Sequence, residues 1–249
     1  MQLNVREWGD PAGEPVVCIH GLTGYGGRFR RLAEEHLPHR RVLAVDLRGH
    51  GASGWEPPWD LDSHAHDLLE TVAGRGADSA DWVGHSIGGR IIAEIAAISP
   101  ERVRRAALLD PAMHVDVEHA LQRVELLRTD AGFATIDEAV DMRLADPTLF
   151  STPRETIAAE TGEHLQRGED GRYRWRFFPP MAIVAWSEMT RAAPPWPMCP
   201  TLLVVGAQSW IAQDVPAVDH ISTVTVPGGH AVLWDDYHLT AEAVRRFLD

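Results

Sequence analysis

Short apolar runs that alternate with helical stretches most constrain what this chain can fold into. The runs span residues 16–19, 41–45, 80–83, 105–109, 201–205 and 223–226. Runs of this length, without clean polar alternation, are typical of strands that are buried on both faces of a mainly parallel sheet. Because helical patterns lie between them, the sequence predicts an α/β fold with a doubly wound, mostly parallel sheet.

The predicted helices of this sheet span residues 28–37, 62–73, 87–99 and 238–248. The stretch 112–193 breaks the alternation, since it has helical patterns at 115–129, 135–144, 152–166 and 179–189 but no convincing buried strand. An extended piece is predicted at 173–177. We therefore expect a core formed by residues 1–111 and 195–249, and a helical lid formed by residues 112–194 that covers a site.

The composition excludes several classes of enzyme. None of the 249 residues is lysine, and 23 arginines stand against 36 acidic residues, for a net charge of −13. Without lysine there is no Schiff-base or pyridoxal-phosphate enzyme, no Walker-type phosphate site and no Ser-Lys dyad. The acidic balance gives no electrostatic basis for binding nucleic acid or an anionic membrane.

The same composition bears on location. No apolar window approaches the roughly 18 residues of a membrane span. Because no apolar run follows a basic end in residues 1–8, we do not expect the N-terminal residues to form a signal peptide. Two cysteines make no disulfide framework. We therefore expect a reduced cytoplasmic protein, and the sequence leaves its oligomeric state open.

The most informative motif is Gly84-His85-Ser86-Ile87-Gly88, which fits G-x-S-x-G with a predicted strand before it and a helix after it. Small residues are needed there because the strand turns sharply into the helix. Such a turn exposes the Ser86 hydroxyl above the N-terminus of the helix. The alternative is a glycine-rich turn that carries an incidental serine.

Two further segments supply the partners that a nucleophilic serine needs. In His20-Gly21-Leu22-Thr23-Gly24, the glycines leave the backbone free, so the N–H groups of Leu22 and Ile87 are candidates for an oxyanion hole. His230 follows Pro227-Gly228-Gly229 and, of thirteen histidines, it alone lies late in the chain after a strand end. A general base belongs on such a loop. His64 and His66 are two apart on a helix and face different sides, so we predict no metal site.

Together these residues resemble the α/β-hydrolase fold family, in particular its capped, esterase- and lipase-like members with a serine nucleophile. The resemblance covers nearly the whole chain and includes Asp46-Leu47-Arg48-Gly49-His50-Gly51-Ala52-Ser53, which matches the family's D-x-R-G-x-G-x-S loop. It implies a helical cap inserted after the family's sixth strand. It also implies the order nucleophile, acid and histidine, with Ser86 first and His230 last.

The acid departs from the family pattern. Members usually carry an Asp just after the seventh strand, where this chain has Gln208, Ser209 and Trp210. Some relatives take the acid from the end of the sixth strand, where Asp110 lies, although many carry a non-catalytic Asp-Pro at that place. Asp214 could reach back from the loop, or the acid could be absent. We take Asp110 as the leading candidate.

The predicted function is a cofactor-independent serine hydrolase that cleaves a carboxylic ester or related acyl bond through an acyl-enzyme. Ser86, His230 and Asp110 would form the catalytic triad. A serine nucleophile argues against haloalkane dehalogenases and epoxide hydrolases, whose relatives use Asp. Lactonase, thioesterase, carbon–carbon bond hydrolase and perhydrolase activities remain alternatives. Because the usual acid is missing, a non-catalytic or weakly catalytic ligand-binding protein on the same scaffold is a further alternative.

The lid sequence bears on the substrate. Packing onto the core explains most of its aromatic and methionine residues better than a role in binding does. If a few of them face the site, they predict a small-molecule substrate with an apolar part. The candidates are Trp175, Phe177, Phe178, Met181, Trp186 and Met189. Arg172, Arg174 and Arg176 are candidates for meeting a carboxylate, but a solvated strand face is the plainer interpretation.

Overall fold

The computed structural model describes residues 1–128, 131–146 and 148–249. These residues include nine strands and nine α-helices. The strands are β1 (Val5–Gly9), β2 (Pro15–Ile19), β3 (Arg41–Val45), β4 (Ala80–His85), β5 (Val103–Leu109), β6 (Leu165–Arg167), β7 (Tyr173–Trp175), β8 (Thr201–Gly206) and β9 (Ile221–Val226). The helices are α1 (Arg30–His36), α2 (Leu61–Ala73), α3 (Ile87–Ile98), α4 (Val117–Leu126), α5 (Ile136–Leu144), α6 (Arg154–His164), α7 (Pro179–Glu188), α8 (Val232–Asp235) and α9 (Tyr237–Leu248).

Seven of these strands form one sheet in the order β1-β3-β2-β4-β5-β8-β9. All neighbours run parallel except β1, which pairs antiparallel with β3 at the edge. The predicted mostly parallel α/β sheet is therefore confirmed. The edge strand β1 was not predicted, because Val5-Arg6-Glu7-Trp8 is half-exposed and has no apolar run to mark it.

The apolar runs lack alternation because both faces of the sheet are buried. Along β2, Val16 and Cys18 belong to one apolar cluster, while Val17 and Ile19 belong to the other. Helices α1 and α9 cover the face that carries Val16 and Cys18, and helices α2 and α3 cover the face that carries Val17 and Ile19. Within the described ranges, no helix has both the length and the apolar character that crossing a bilayer requires.

An insertion that carries helices α4 to α7 separates β5 from β8. It therefore follows the fifth strand of this chain, which corresponds to the strand that the family numbers as its sixth. The insertion is not wholly helical. Helix α6 ends at His164, and β6 pairs antiparallel with β7, so the predicted 152–166 helix runs too far. The predicted 115–129 helix begins at Val117, and its predicted last residue, Thr129, lies outside the described residues.

Candidate active site

Ser86 lies on a sharp turn between β4 and α3, with a positive φ of 57°. The flanking glycines allow this turn through close backbone contacts. A Cβ on Gly84 would lie 2.6 Å from the carbonyl of Gly88, and a Cβ on Gly88 would lie 2.5 Å from the Ile19 carbonyl oxygen. Any larger side chain at either position would push strand and helix apart, so the spacing of the motif follows from the turn itself.

His230 and Asp110 extend from Ser86 in a line. His230 Nε2 lies 2.9 Å from Ser86 Oγ, and His230 Nδ1 lies 2.6 Å from Asp110 Oδ2. His230 is on the loop between β9 and α8, while Asp110 directly follows β5 and is fully buried. Asp214 is exposed, and its backbone carbonyl accepts a hydrogen bond from Trp196 Nε1. The structure thus brings Asp110, and not Asp214, to the histidine.

Ser209 lies beside the same carboxylate. Its hydroxyl donates to Asp110 Oδ2 at 2.5 Å, and the Gly206 N–H donates to Asp110 Oδ1 at 3.3 Å. Asp110 itself has a positive φ of 44°. The family's usual position for the acid therefore holds a hydroxyl that supports a carboxylate from the neighbouring strand. Sequence reasoning considered Ser209 only as a failed acid and missed this contact.

The N–H groups of Leu22 and Ile87 face no partner: neither donates a hydrogen bond to another described residue. Gly21 brings their two segments together. A Cβ on Gly21 would lie 2.7 Å from His85 Nδ1 and 3.2 Å from Ser86 Cβ, so only glycine allows the loop to lie this close to Ser86. Two N–H donors without a partner, close to a serine hydroxyl, are the groups that an oxyanion hole requires.

Two buried histidines fix that loop. His20 Nε2 accepts a hydrogen bond from the Leu47 N–H at 3.0 Å, and His50 Nε2 accepts one from the Thr23 N–H at 3.3 Å. Burial lowers the pKa of both imidazoles well below the ordinary value, so each stays neutral and keeps an acceptor nitrogen. Thr23 has a positive φ of 63°.

His85 contacts the loop of the candidate base. Its Nε2–H donates to the backbone carbonyl of His230 at 2.9 Å, and burial holds the pKa of His85 well below its usual range. The two rings lie 4.9 Å apart, centroid to centroid. Sequence analysis missed this residue because the second position of G-x-S-x-G accepts many side chains.

Ser86 and His230 line a cleft of about 730 Å³ that is open to solvent. The insertion forms one wall, with Arg123, Trp186 and Met189 among its lining residues. Of the six lid residues considered above, Trp186 and Met189 line the cleft, whereas Met181 is fully buried in the core. The wall is therefore partly apolar and partly charged.

Known proteins are similar to this chain in sequence and in fold. A family model described as alpha/beta hydrolase fold matches residues 14–165. Lipase LipV of Mycobacterium tuberculosis is 33% identical over 191 residues, which cover 77% of this chain and 72% of the lipase. Esterase YbfF of Escherichia coli is 25% identical over an alignment of 275 residues that covers all of both chains.

A solved structure titled E-2-(acetamidomethylene)succinate hydrolase superposes on this chain with a TM-score of 0.82 and 26% identity, over 99% of this chain and 95% of the other. The fold and the sequence matches together define the class, and the chain belongs to the α/β-hydrolase family. It is an enzyme of that family, a hydrolase, as the sequence predicted.

Proposed function

We propose that this hydrolase cleaves carboxylic esters through an acyl-enzyme formed on Ser86. The observation that carries the proposal is the line of short contacts from Ser86 Oγ to His230 Nε2 (2.9 Å) and from His230 Nδ1 to Asp110 Oδ2 (2.6 Å). A serine hydroxyl is a weak nucleophile until an adjacent base can take its proton, and this arrangement supplies such a base.

In the first half of the reaction, Ser86 Oγ attacks the ester carbonyl carbon while His230 Nε2 takes the hydroxyl proton. The N–H groups of Leu22 and Ile87 stabilise the oxyanion that develops. His230 then gives the proton to the departing alkoxide oxygen, which leaves as the alcohol. The buried Asp110 carboxylate stabilises the imidazolium and keeps a proton on Nδ1.

In the second half, water attacks the acyl carbon as His230 takes one of its protons. The tetrahedral intermediate collapses, the Ser86 Oγ–acyl bond breaks, and Oγ regains the proton from His230. The acid leaves as the second product. Every step uses side chains and backbone groups of this chain, so the proposed mechanism needs no cofactor.

We assign residues 112–194 to a cap over a core of residues 1–111 and 195–249. The support is that the cleft containing Ser86 and His230 has one wall from this insertion, including Trp186 and Met189. Trp210 of the core adds a second indole to the same cleft. These surfaces favour a small-molecule substrate with an apolar part, in keeping with relatives named as a lipase and an esterase.

The test is a panel of p-nitrophenyl esters with acyl chains of increasing length, together with a fluorophosphonate probe. We expect turnover that Ser86→Ala abolishes and covalent labelling that maps to Ser86. Ser187→Ala, which removes an exposed serine hydroxyl on α7, serves as the control and keeps both signals. A probe that leaves Ser86 unlabelled would refute the proposal. Absence of turnover combined with stabilisation by esters would favour the ligand-binding alternative.

A further inference from the structure

Three arginines line the cleft that contains the candidate nucleophile. Among the residues that the structure describes, Arg28, Arg123 and Arg143 share the cleft with a single acid, Asp146. Their side chains are mostly enclosed, with exposed fractions of 11%, 23% and 21%. A guanidinium removed from water in this way is stable only when it has acceptors close by, so the balance of charge around the three decides what the cleft can bind.

The carboxylates around these arginines are shared. Asp146 Oδ2 lies 3.1 Å from Arg143 Nη1 and 3.4 Å from Arg123 Nη2, so one carboxylate serves two cations. Glu160 Oε2 lies 3.4 Å from Arg28 Nε. Among the described residues, three cations thus face two anions, which leaves an excess of one positive charge at this end of the cleft.

Two donors of the cluster also lack a hydrogen-bond acceptor. Arg28 Nε and Arg143 Nε are both buried, and neither donates a hydrogen bond to a described residue. Arg143 and Arg28 both lie over the ring of Trp234, with their guanidinium carbons 5.2 and 4.2 Å from its centroid. Burial lowers the pKa of Arg28 to about 10, so it is still a cation at neutral pH. The cluster therefore has charge and donor capacity to spare.

Two indoles connect this cluster to the candidate catalytic residues. The ring of Trp210 lies 5.4 Å from that of His230, and the ring of Trp186 lies 6.3 Å from that of Trp210. The Arg123 guanidinium carbon lies 5.7 Å from the ring of Trp186. A molecule that runs from Ser86 along this wall meets apolar surface first and cations afterwards.

The arginines that the sequence suggested for this role have other partners. Arg174 pairs with Asp170 at 2.7 Å, and Arg172 Nε donates to the Ala131 carbonyl at 2.6 Å. Neither of them lines the cleft. The cationic lining instead comes from α4, α5 and the segment before α1, which are distant in the sequence.

We propose that the substrates are half-esters of dicarboxylic acids: the free carboxylate of the acyl part binds Arg123 and Arg143, while its carbon chain lies on Trp186 and Trp210. This inference rests on the proposed function, because it assigns an acyl group to Ser86. The acyl part stays on the enzyme through both halves of the reaction. An anchor at its far end therefore orients the carbonyl carbon for attack by Ser86 and again for attack by water.

The test compares two matched series of p-nitrophenyl esters of dicarboxylic acids, one with the far carboxylate free and one with it methylated, at increasing chain length. We expect kcat/KM of wild type to favour the free carboxylate at its preferred length, and the preference to fall as sodium chloride is added. Arg123→Gln and Arg143→Gln should each lower the ratio of anionic to neutral kcat/KM by about ten- to a hundredfold, the range for a charged hydrogen bond. Arg128→Gln, an exposed arginine paired with Glu125, is the control and should leave the ratio unchanged.

A second measurement needs no variant. Free dicarboxylates of the preferred length should inhibit hydrolysis of neutral esters by wild type competitively, whereas their dimethyl esters should not do so at the same concentration. If Ser86-dependent turnover is equal for the two series, or greater for the methylated one, the half-ester inference is overturned and the proposed function stands. If neither series shows Ser86-dependent turnover, the proposed function itself fails.

Discussion

Replacing Asp110 by asparagine exchanges one oxygen of a buried side chain for an amide nitrogen. The substitution tests whether the Asp110 carboxylate orients His230. Asparagine suits the position because, with aspartate, it is among the residues that most readily adopt a positive φ, here 44°. Alanine would add backbone strain to the loss of the carboxylate. The variant should therefore keep the fold and change mainly the hydrogen bonds.

The structure indicates which way the new amide will face. Asp110 Oδ1 accepts from the Gly206 N–H, so the amide oxygen remains there and the NH₂ group takes the place of Oδ2. At that place it faces His230 Nδ1 and the Ser209 hydroxyl. The hydroxyl can rotate and accept, but Nδ1 can accept only after losing its proton. The imidazole proton then sits on Nε2, towards Ser86, where a base is required.

A histidine in this tautomer cannot take the serine proton, and the same change in a serine protease triad lowers kcat by about 10⁴-fold. That factor corresponds to about 5.4 kcal/mol of transition-state stabilisation. The assay is kcat for saturating p-nitrophenyl butyrate, with thermal unfolding followed by circular dichroism to verify the fold. Asp214→Asn is the matched control and should keep kcat. The assignment is wrong if Asp110→Asn stays within tenfold of wild type.

A rescue experiment tests the same geometry from the neighbouring strand. Ser209 Oγ lies 2.5 Å from Asp110 Oδ2, so a carboxylate at 209 enters the space beside His230 Nδ1. We expect Ser209→Asp to restore part of kcat when it is added to Asp110→Asn. Added alone, it places a second carboxylate beside a buried one and should lower stability. No recovery in the double variant would show that position 209 does not reach the imidazole.

Two further predictions concern stability. Burial lowers the pKa of His64 to about 4, so between pH 6.5 and 4 this histidine takes up a proton only in the unfolded chain. As the pH falls through that range, the contribution of His64 therefore lowers the free energy of unfolding by up to about 3 kcal/mol. In urea unfolding, the free energy of unfolding should fall less between pH 7 and pH 5 in His64→Gln than in wild type or in the exposed-site control His66→Gln. Equal falls in the three proteins would contradict this prediction. Gly88→Ala should destabilise by about 1–3 kcal/mol or more, because its Cβ meets a backbone carbonyl. Gly162→Ala, in open space on α6, should stabilise by about 0.5–1 kcal/mol; thermal unfolding that reverses this order would refute the packing argument.

Features that depend on local sequence could be predicted without the structure. The apolar runs mark the central strands because both faces of the sheet are buried, and the glycines around Ser86 mark a turn that tolerates no larger side chain. The edge strand β1 has no apolar run of this kind. One side of it faces solvent, so its residues need not be apolar.

Features that depend on which strands are neighbours could not be predicted in this way. Asp110 and Ser209 are 99 residues apart and meet because β5 pairs with β8, with Leu109 opposite Val204. Nothing in the sequence around either residue specifies that pairing. The convergence of Arg123 and Arg143 on Asp146 likewise depends on how α4 and α5 fold together.

The three non-glycine residues with positive φ in the described chain are Thr23, Ser86 and Asp110, and all three border the candidate active site. Backbone strain of this kind stores about 1–3 kcal/mol at a residue such as Thr23 or Ser86, and less at Asp110, because aspartate adopts a positive φ more readily. Glycine would relieve it at every one of them, while removing a hydroxyl or carboxylate from the site. Directed evolution that selects for heat resistance alone would therefore favour inactive variants at the Ser86 and Asp110 codons. A screen for a more robust catalyst from this scaffold has to score turnover in the same round as survival.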